Sequence, residues 1–390
     1  MTAAALELPE PALDRLPEVT AALAATAPVH DRDGSFPHEA IRVVYEAGLL
    51  TAGVPREFGG AGAGPTDLAR ILLALGRGDP SVALIAAMTL LPHAFQSRRP
   101  WPPELYGRVL AESARRPTLL NNARVEPELG SPARGGLPAT TARRTAHGWA
   151  VSGRKRFVTG AEGLSWFLVW ATTDEPVPRV GTFVLPADAP GIEVVRTWRQ
   201  LGLRASGSHD VVFTGVEIPE DHVLDLTEHG PKAQQDNLAA GSVHVLLSAV
   251  YLGVARAAQD SVHRFAHTRV PANLGRPVAS TERFRQAAGE IEALLSTAEQ
   301  LVFGVTGRLD RGEAVPGPEA LAAKVVVVRH VTAAVESGLR LLGNPGLSQD
   351  NPLERHFRDI QSAGVHAPQE DTALHAIGSA VLAASAPREG

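Results

Sequence analysis

The chain has 390 residues, and its 37 basic and 42 acidic side chains give a net charge of −5. That balance excludes the basic footprint of a nucleic-acid or anionic-membrane binder, and the length implies about two or three domains. Cysteine is absent, which removes disulfides, thiolate zinc sites, iron–sulfur clusters and a Cys nucleophile.

The N-terminus, Met1 to Pro9, lacks the basic start and apolar core of a secretory leader. The longest apolar runs, around Val82–Leu91 and Val245–Ala255, fall short of the ~18 residues of a membrane span. They predict buried helices, and the expectation is a cytoplasmic protein without membrane or nucleic-acid partners. Over residues 11–112 the spacing predicts helices, as in Ala40, Val43, Val44, Ala47 and in Leu68, Ile71, Leu72, Leu75. Gly48, Pro55 and the Gly59–Gly64 run punctuate them, and Asp79-Pro80-Ser81 opens a helix that is apolar all round.

From about Thr118 to Asp225 the pattern changes to short β-branched and aromatic runs bounded by Gly, Pro and Asp. Trp149–Val151, Trp166–Ala171, Gly181–Leu185 and Val211–Phe213 predict strands of a small barrel or sandwich. Beyond Pro231, long amphipathic stretches without interior proline over Leu246–Thr268, Ser280–Arg311 and Pro318–Leu342 predict a helical bundle. The expected organisation is α+β: a helical domain over 1–117, a β domain over 118–230 and a four-helix bundle over 231–390.

Several common catalytic signatures are missing. The glycine run after Phe58 follows no predicted strand, so it reads as an interhelical loop rather than a dinucleotide fingerprint. His263 and His267 share helical spacing without a third ligand, so no metal site is expected. There is no GxSxG elbow for a hydrolase. The segment Gly153-Arg154-Lys155-Arg156-Phe157-Val158-Thr159-Gly160-Ala161 combines an aromatic ring, a hydroxyl and a flexible turn. A planar aromatic cofactor would use that set, and so would a strand entering a tight turn.

A series of motifs separates those alternatives. Val54-Pro55-Arg56-Glu57-Phe58-Gly59-Gly60, Val125-Glu126-Pro127-Glu128-Leu129-Gly130-Ser131 and Phe157-Val158-Thr159-Gly160 come first. Gly202-Leu203-Arg204-Ala205-Ser206 through Val216-Glu217-Ile218-Pro219, and Gly343 through Arg358-Asp359, follow. Together, and in this order, they resemble the acyl-CoA dehydrogenase superfamily of flavoproteins over nearly the whole chain. The resemblance implies FAD held between the β domain and the bundle, with homotetramers usual. It implies that Phe157 packs on the flavin ring, that Thr159 bonds near its N5 edge, and that Ser131 lies by the phosphates or the substrate entrance. It also implies that Arg269 neutralises the pyrophosphate of a neighbouring subunit's cofactor and that Arg340 touches the same cofactor.

The chain departs from the dehydrogenases at the base. Counting from Arg358-Asp359, the position of the family's catalytic glutamate holds Ala367, within His366-Ala367-Pro368-Gln369. A second family position for that base matches Val243, between Ser242 and His244. Arg358-Asp359, Ala363 and His366 instead resemble the branch of monooxygenases on this fold. Those enzymes receive reduced FMN or FAD from a separate reductase and oxygenate small organic substrates. His366 suits that chemistry as a hydrogen-bond partner or proton acceptor. Glu370 and Asp371, about one helical turn past Ala367, keep open a dehydrogenase with a displaced base and a separate electron acceptor. A flavin-free scaffold that retains the fold is a third reading.

Overall fold

The computed structural model describes residues 12–129, 136–228 and 241–385. Five helices come first: α1 (Leu16–Asp33), α2 (His38–Glu46), α3 (Pro65–Gly78), α4 (Pro80–Ala94) and α5 (Pro103–Ser113). Asp79 caps α4 by accepting from the amides of Ser81 at 2.8 Å and Val82 at 3.4 Å, with Pro80 at the first helical position. Helix α4 is buried on nearly every side, as its lack of a polar face requires.

Eight strands follow: β1 (Leu120–Ala123), β2 (Thr141–Thr145), β3 (Gly148–Val158), β4 (Trp166–Thr173), β5 (Arg179–Pro186), β6 (Ile192–Val195), β7 (His209–Pro219) and β8 (Val223–Glu228). They form one connected sheet in the order β6-β7-β3-β2-β4-β5-β8, with β1 parallel to β4. Side chains alternate between its faces. Trp149, Phe167, Val169, Phe183 and Phe213 join the main core, while Trp166, Leu168 and Val184 pack with Trp101, Leu105, Tyr106 and Val109 on and before α5.

The chain ends in helices α6 (Gly241–Thr268), α7 (Glu282–Asp310), α8 (Gly317–Leu342), α9 (Asn344–Leu347), α10 (Pro352–Ile360), α11 (Ser362–Val365) and α12 (Glu370–Ala384). Helix α6 packs on α7, α8 and α10, and also on α3 from the other end of the chain. The crossing of α3 with α6 is very close. A Cβ on Gly76 would stand 2.2 Å from the Val250 oxygen, and one on Gly253 would stand 2.2 Å from the Leu73 oxygen. Only a residue without a Cβ permits this approach. No described helix is long and apolar enough to cross a membrane.

Candidate active site

On the sheet side, β3 runs antiparallel to β7 and its register shifts between Lys155 and Val158. Such a bulge re-aims a side chain. Here it puts Phe157 in the left-handed region, at φ 56°, and leaves the residue 46 % exposed. A left-handed non-glycine residue costs roughly 1–2 kcal/mol, and large exposed rings mark surfaces that bind something. Trp198 meets the Phe157 ring edge-on at 6.2 Å, and the Arg156 guanidinium lies 4.9 Å from its centre. Trp198 is itself held by its indole N–H donating to the Leu203 oxygen at 2.9 Å.

Two residues on, Thr159 is buried. Its hydroxyl lies 3.0 Å from that of Ser208, which lies 2.8 Å from that of Ser206. The Thr159 carbonyl accepts from Asn121 Nδ2 at 2.8 Å. Glycines at left-handed φ, Gly160 and Gly207, let the two turns carrying these hydroxyls meet.

On the bundle side, His244, Ser248 and Tyr251 follow helical spacing along one face of α6. The Tyr251 hydroxyl lies 2.5 Å from His366 Nδ1, with ring centres 5.5 Å apart. Lys324 on α8 donates to the carbonyls of Pro368 at 2.9 Å and His366 at 3.3 Å. Burial, helped by the Lys324 cation, pushes both His366 and His244 down to about 4, so both imidazoles are neutral near pH 7. His244 Nδ1 is buried with no partner among the described residues. Burial also lowers Lys324 against the opposing pull of Glu370. Burial, and secondarily Asp359, raises the Tyr251 hydroxyl well above its ordinary value.

The two sides are joined at the loop before the Ser206 turn. The Leu203 amide donates to Asp359 at 2.7 Å, and a Cβ on Gly202 would stand 2.3 Å from the Arg358 oxygen. Arg358 donates to Asp31 on α1 and to the Leu201 carbonyl, and Arg204 donates to the carbonyls of Asp31 and Arg32. The Gly-Leu-Arg and Arg-Asp motifs are therefore a clamp that locks α1, the sheet and α10 together.

The expected site residues divide as follows. Phe157 lies at the end of β3 and Thr159 in the turn that follows it, and His366 lies partly exposed on the turn after α11. Glu370 is drawn to Arg329 on α8, at 2.6 and 3.2 Å, and Asp371 accepts from the Thr372 amide. Among the described residues, Glu370 is not hydrogen-bonded to the Tyr251–His366 pair. Ala367 is exposed. Arg269 follows α6, exposed, and its guanidinium makes no hydrogen bond or ion pair among the described residues. Arg340 is exposed and reaches Ser337 and Glu336 on its own helix. Ser131 lies outside the described residues. His263 and His267 are exposed, and no group of metal-ligating side chains forms among the described residues.

Tyr251 and Lys324 were not among the expected site residues. Each left a signal. Tyr251 is a hydroxyl-bearing ring inside the apolar run Val245–Ala255, and Lys324 is the only charge within Ala320–Val328.

Family models describe the chain in three parts: acyl-CoA dehydrogenase N-terminal domain over residues 18–94, middle domain over 123–216 and C-terminal domain over 245–370. A Bacillus subtilis (strain 168) protein named "Putative acyl-CoA dehydrogenase YdbM" is 32 % identical, over 91 % of this chain and 92 % of that one. The L-evernosamine nitrososynthase of Micromonospora sp. (strain ATCC 39149 / NRRL 15099 / SCC 1413) is 30 % identical, over 91 % of this chain and 86 % of that one. The structure of KijD3 in complex with FMN and dTDP-3-amino-2,3,6-trideoxy-4-keto-3-methyl-D-glucose superposes with a TM-score of 0.83 at 28 % identity, covering 100 % of this chain and 98 % of that one.

Proposed function

Because this chain belongs to the acyl-CoA dehydrogenase family, we propose that it is a flavin-dependent monooxygenase acting on a small organic substrate with reduced flavin from a separate reductase. The observation that carries this reading is the turn after α11. His366 is paired to Tyr251, Glu370 is held by Arg329, and Ala367, counted from Arg358-Asp359, falls at the family's carboxylate position. The nitrososynthase relative and the FMN-bound KijD3 structure lend support.

The residues present fit a flavin. Phe157 offers an exposed aromatic face, Thr159 and Ser208 offer uncharged hydroxyls beside it, and Arg269 offers a guanidinium for phosphate. When bound, reduced flavin supplies the electrons that activate O2. Phe157 and Trp198 wall the ring from water, the Thr159–Ser208 pair orients its polar edge, and His366 holds a hydrogen bond to substrate. FAD is the favoured form and FMN the alternative. By the same family likeness the assembly is a homotetramer in which Arg269 serves a neighbour's cofactor and Arg340 lies close by.

The second reading is an FAD-dependent acyl-CoA dehydrogenase whose base is Glu370 or Asp371, favoured by the Bacillus relative. Anaerobic titration with oxidised and reduced flavin, then with acyl-CoA, separates the two. The wild type is expected to bind reduced flavin at least about tenfold more tightly, a difference of about 1.4 kcal/mol, and to keep its flavin colour when acyl-CoA is added. Ala367→Glu is expected to introduce bleaching by acyl-CoA. Bleaching of the wild type would overturn the monooxygenase reading. Failure to bind either flavin form would leave the scaffold reading.

Phe157→Gly separates binding from packing. Glycine relieves the left-handed backbone, so thermal stability should not fall, while the missing ring face should weaken flavin binding about tenfold. A lowered Tm with unchanged affinity would assign the ring to packing.

A further inference from the structure

We propose that His366 is a fixed hydrogen-bond donor rather than a base: the Tyr251 hydroxyl occupies Nδ1, the ring proton sits on Nε2, and the site takes substrate through an acceptor atom such as a carbonyl oxygen, an oxyanion or an amine lone pair. This deepens the monooxygenase reading and rests on it for the identity of the substrate. The assignment of the proton follows from satisfaction of buried polar groups. Tyr251 is 2 % exposed, and its hydroxyl has one partner among the described residues, His366 Nδ1. A buried hydroxyl with one partner donates to it, because an unmade donor bond costs the full desolvation penalty. Nδ1 is then the acceptor, and a neutral imidazole carries its proton on the other nitrogen. Nε2 has no partner among the described residues, and His366 is partly exposed.

Lys324 acts as a positioning residue. It is 4 % exposed, and its ammonium binds the carbonyls on either side of Ala367, which fixes the turn that presents the imidazole. The charges facing this group are consistent with the assignment. From α6 come His244, neutral, and Tyr251, kept protonated. From α8 comes the Lys324 cation, which disfavours imidazolium. From α10 comes Asp359, which disfavours a tyrosinate. Glu370 of α12 is paired with Arg329.

The test is nitrogen-15 NMR of histidine-labelled protein without flavin, with the His366 signals identified from His366→Asn. The wild type is expected to show a protonated Nε2 and an unprotonated Nδ1 from pH 6 to 8. In Tyr251→Phe this tautomer should no longer be fixed, and a second population should appear. In Lys324→Met the His366 titration should move up by about one pH unit, and Lys324→Arg should restore it. A wild-type ring protonated on Nδ1, or a Tyr251→Phe spectrum identical to wild type, would overturn the proposal. Because no flavin is present, a failed oxygenation assay beside the expected spectrum would count against the monooxygenase reading alone.

Discussion

Glu126→Ala should destabilise the protein by about 3–5 kcal/mol, which would be measured by urea denaturation. The Glu126 and Lys155 side chains are 1 % and 0 % exposed and lie 2.6 Å apart. Glu126 also accepts from the amides of Ala139 at 2.6 Å and Thr140 at 3.0 Å. The Lys155 ammonium also donates to the Trp170 carbonyl at 2.5 Å. Burial alone would raise Glu126, but the Lys155 ammonium and these hydrogen bonds outweigh it and hold the carboxyl below its ordinary range. Burial holds Lys155 down at about 8 even with Glu126 pulling it up, so truncation leaves a buried amine that must give up its proton or stay uncompensated, and two backbone donors unmade. Glu126→Gln keeps an acceptor oxygen and should cost less. The contribution is present above the ordinary carboxylate pKa and disappears as the pH falls through the depressed one. A loss below about 1 kcal/mol for the alanine variant would mean that the pair does not hold this face of the sheet. Lys155 also begins the register shift that presents Phe157, so the variant should weaken flavin binding without touching the flavin site directly.

Acid should unfold the protein early, and buried histidines are the reason. His93 is fully buried beneath Tyr106, with its Nδ1 3.0 Å from the tyrosine hydroxyl, and burial pushes it down to about 4. His356 is pushed down to about 3 by burial, and further by Arg355 and Arg264. For a histidine lowered in the folded state, the unfolded chain takes up the proton first. Stability is then complete above the ordinary value near 6.5 and falls as the pH drops toward the folded value. Between pH 7 and 5 these two residues together should remove about 4 kcal/mol, a large part of a typical stability of about 5–15 kcal/mol. Asp359, raised to about 7 chiefly by burial, and Asp79, raised for the same reason, act in the opposite sense. The clean measurement is therefore a difference. His93→Gln/His356→Gln should lose less stability than wild type between pH 7 and 5, by about 4 kcal/mol. Equal losses in both proteins would show that neither histidine is the acid-sensitive group.

What the sequence revealed depended on the range of the interaction. Helix periodicity is local, so α3 and α4 and the Asp79 cap were legible in the residues themselves. The strands were legible where β-branched and aromatic residues cluster, as over Trp166–Ala171. β6 carries that signal in Ile192, Val194 and Val195 but is only four residues long, and the charged β2 carries it weakly; both are placed by their pairing with β7 and β3. The bulge at Phe157 was invisible for the same reason, since register is a relation between two strands. Tyr251 and His366 are 115 positions apart and meet only through the bundle. Glu370 was expected near the base position by helical geometry, but its pairing with Arg329, 41 positions earlier, required the packing of α12 on α8.

The glycine crossing of α3 with α6 has a consequence for biosynthesis. Gly76 and Gly253 bring together a helix made early and a helix made after the entire sheet has been translated. The apolar face of α3, with Leu68, Ile71, Leu72 and Leu75, is buried in the finished protein. On the ribosome it has no α6 to meet until the last third of the chain emerges. Contacts of such long sequence separation form slowly and leave apolar surface open to aggregation. The first helices are thus the part of the nascent chain that most needs a chaperone, and the sheet matures between two halves of a helical body that closes last.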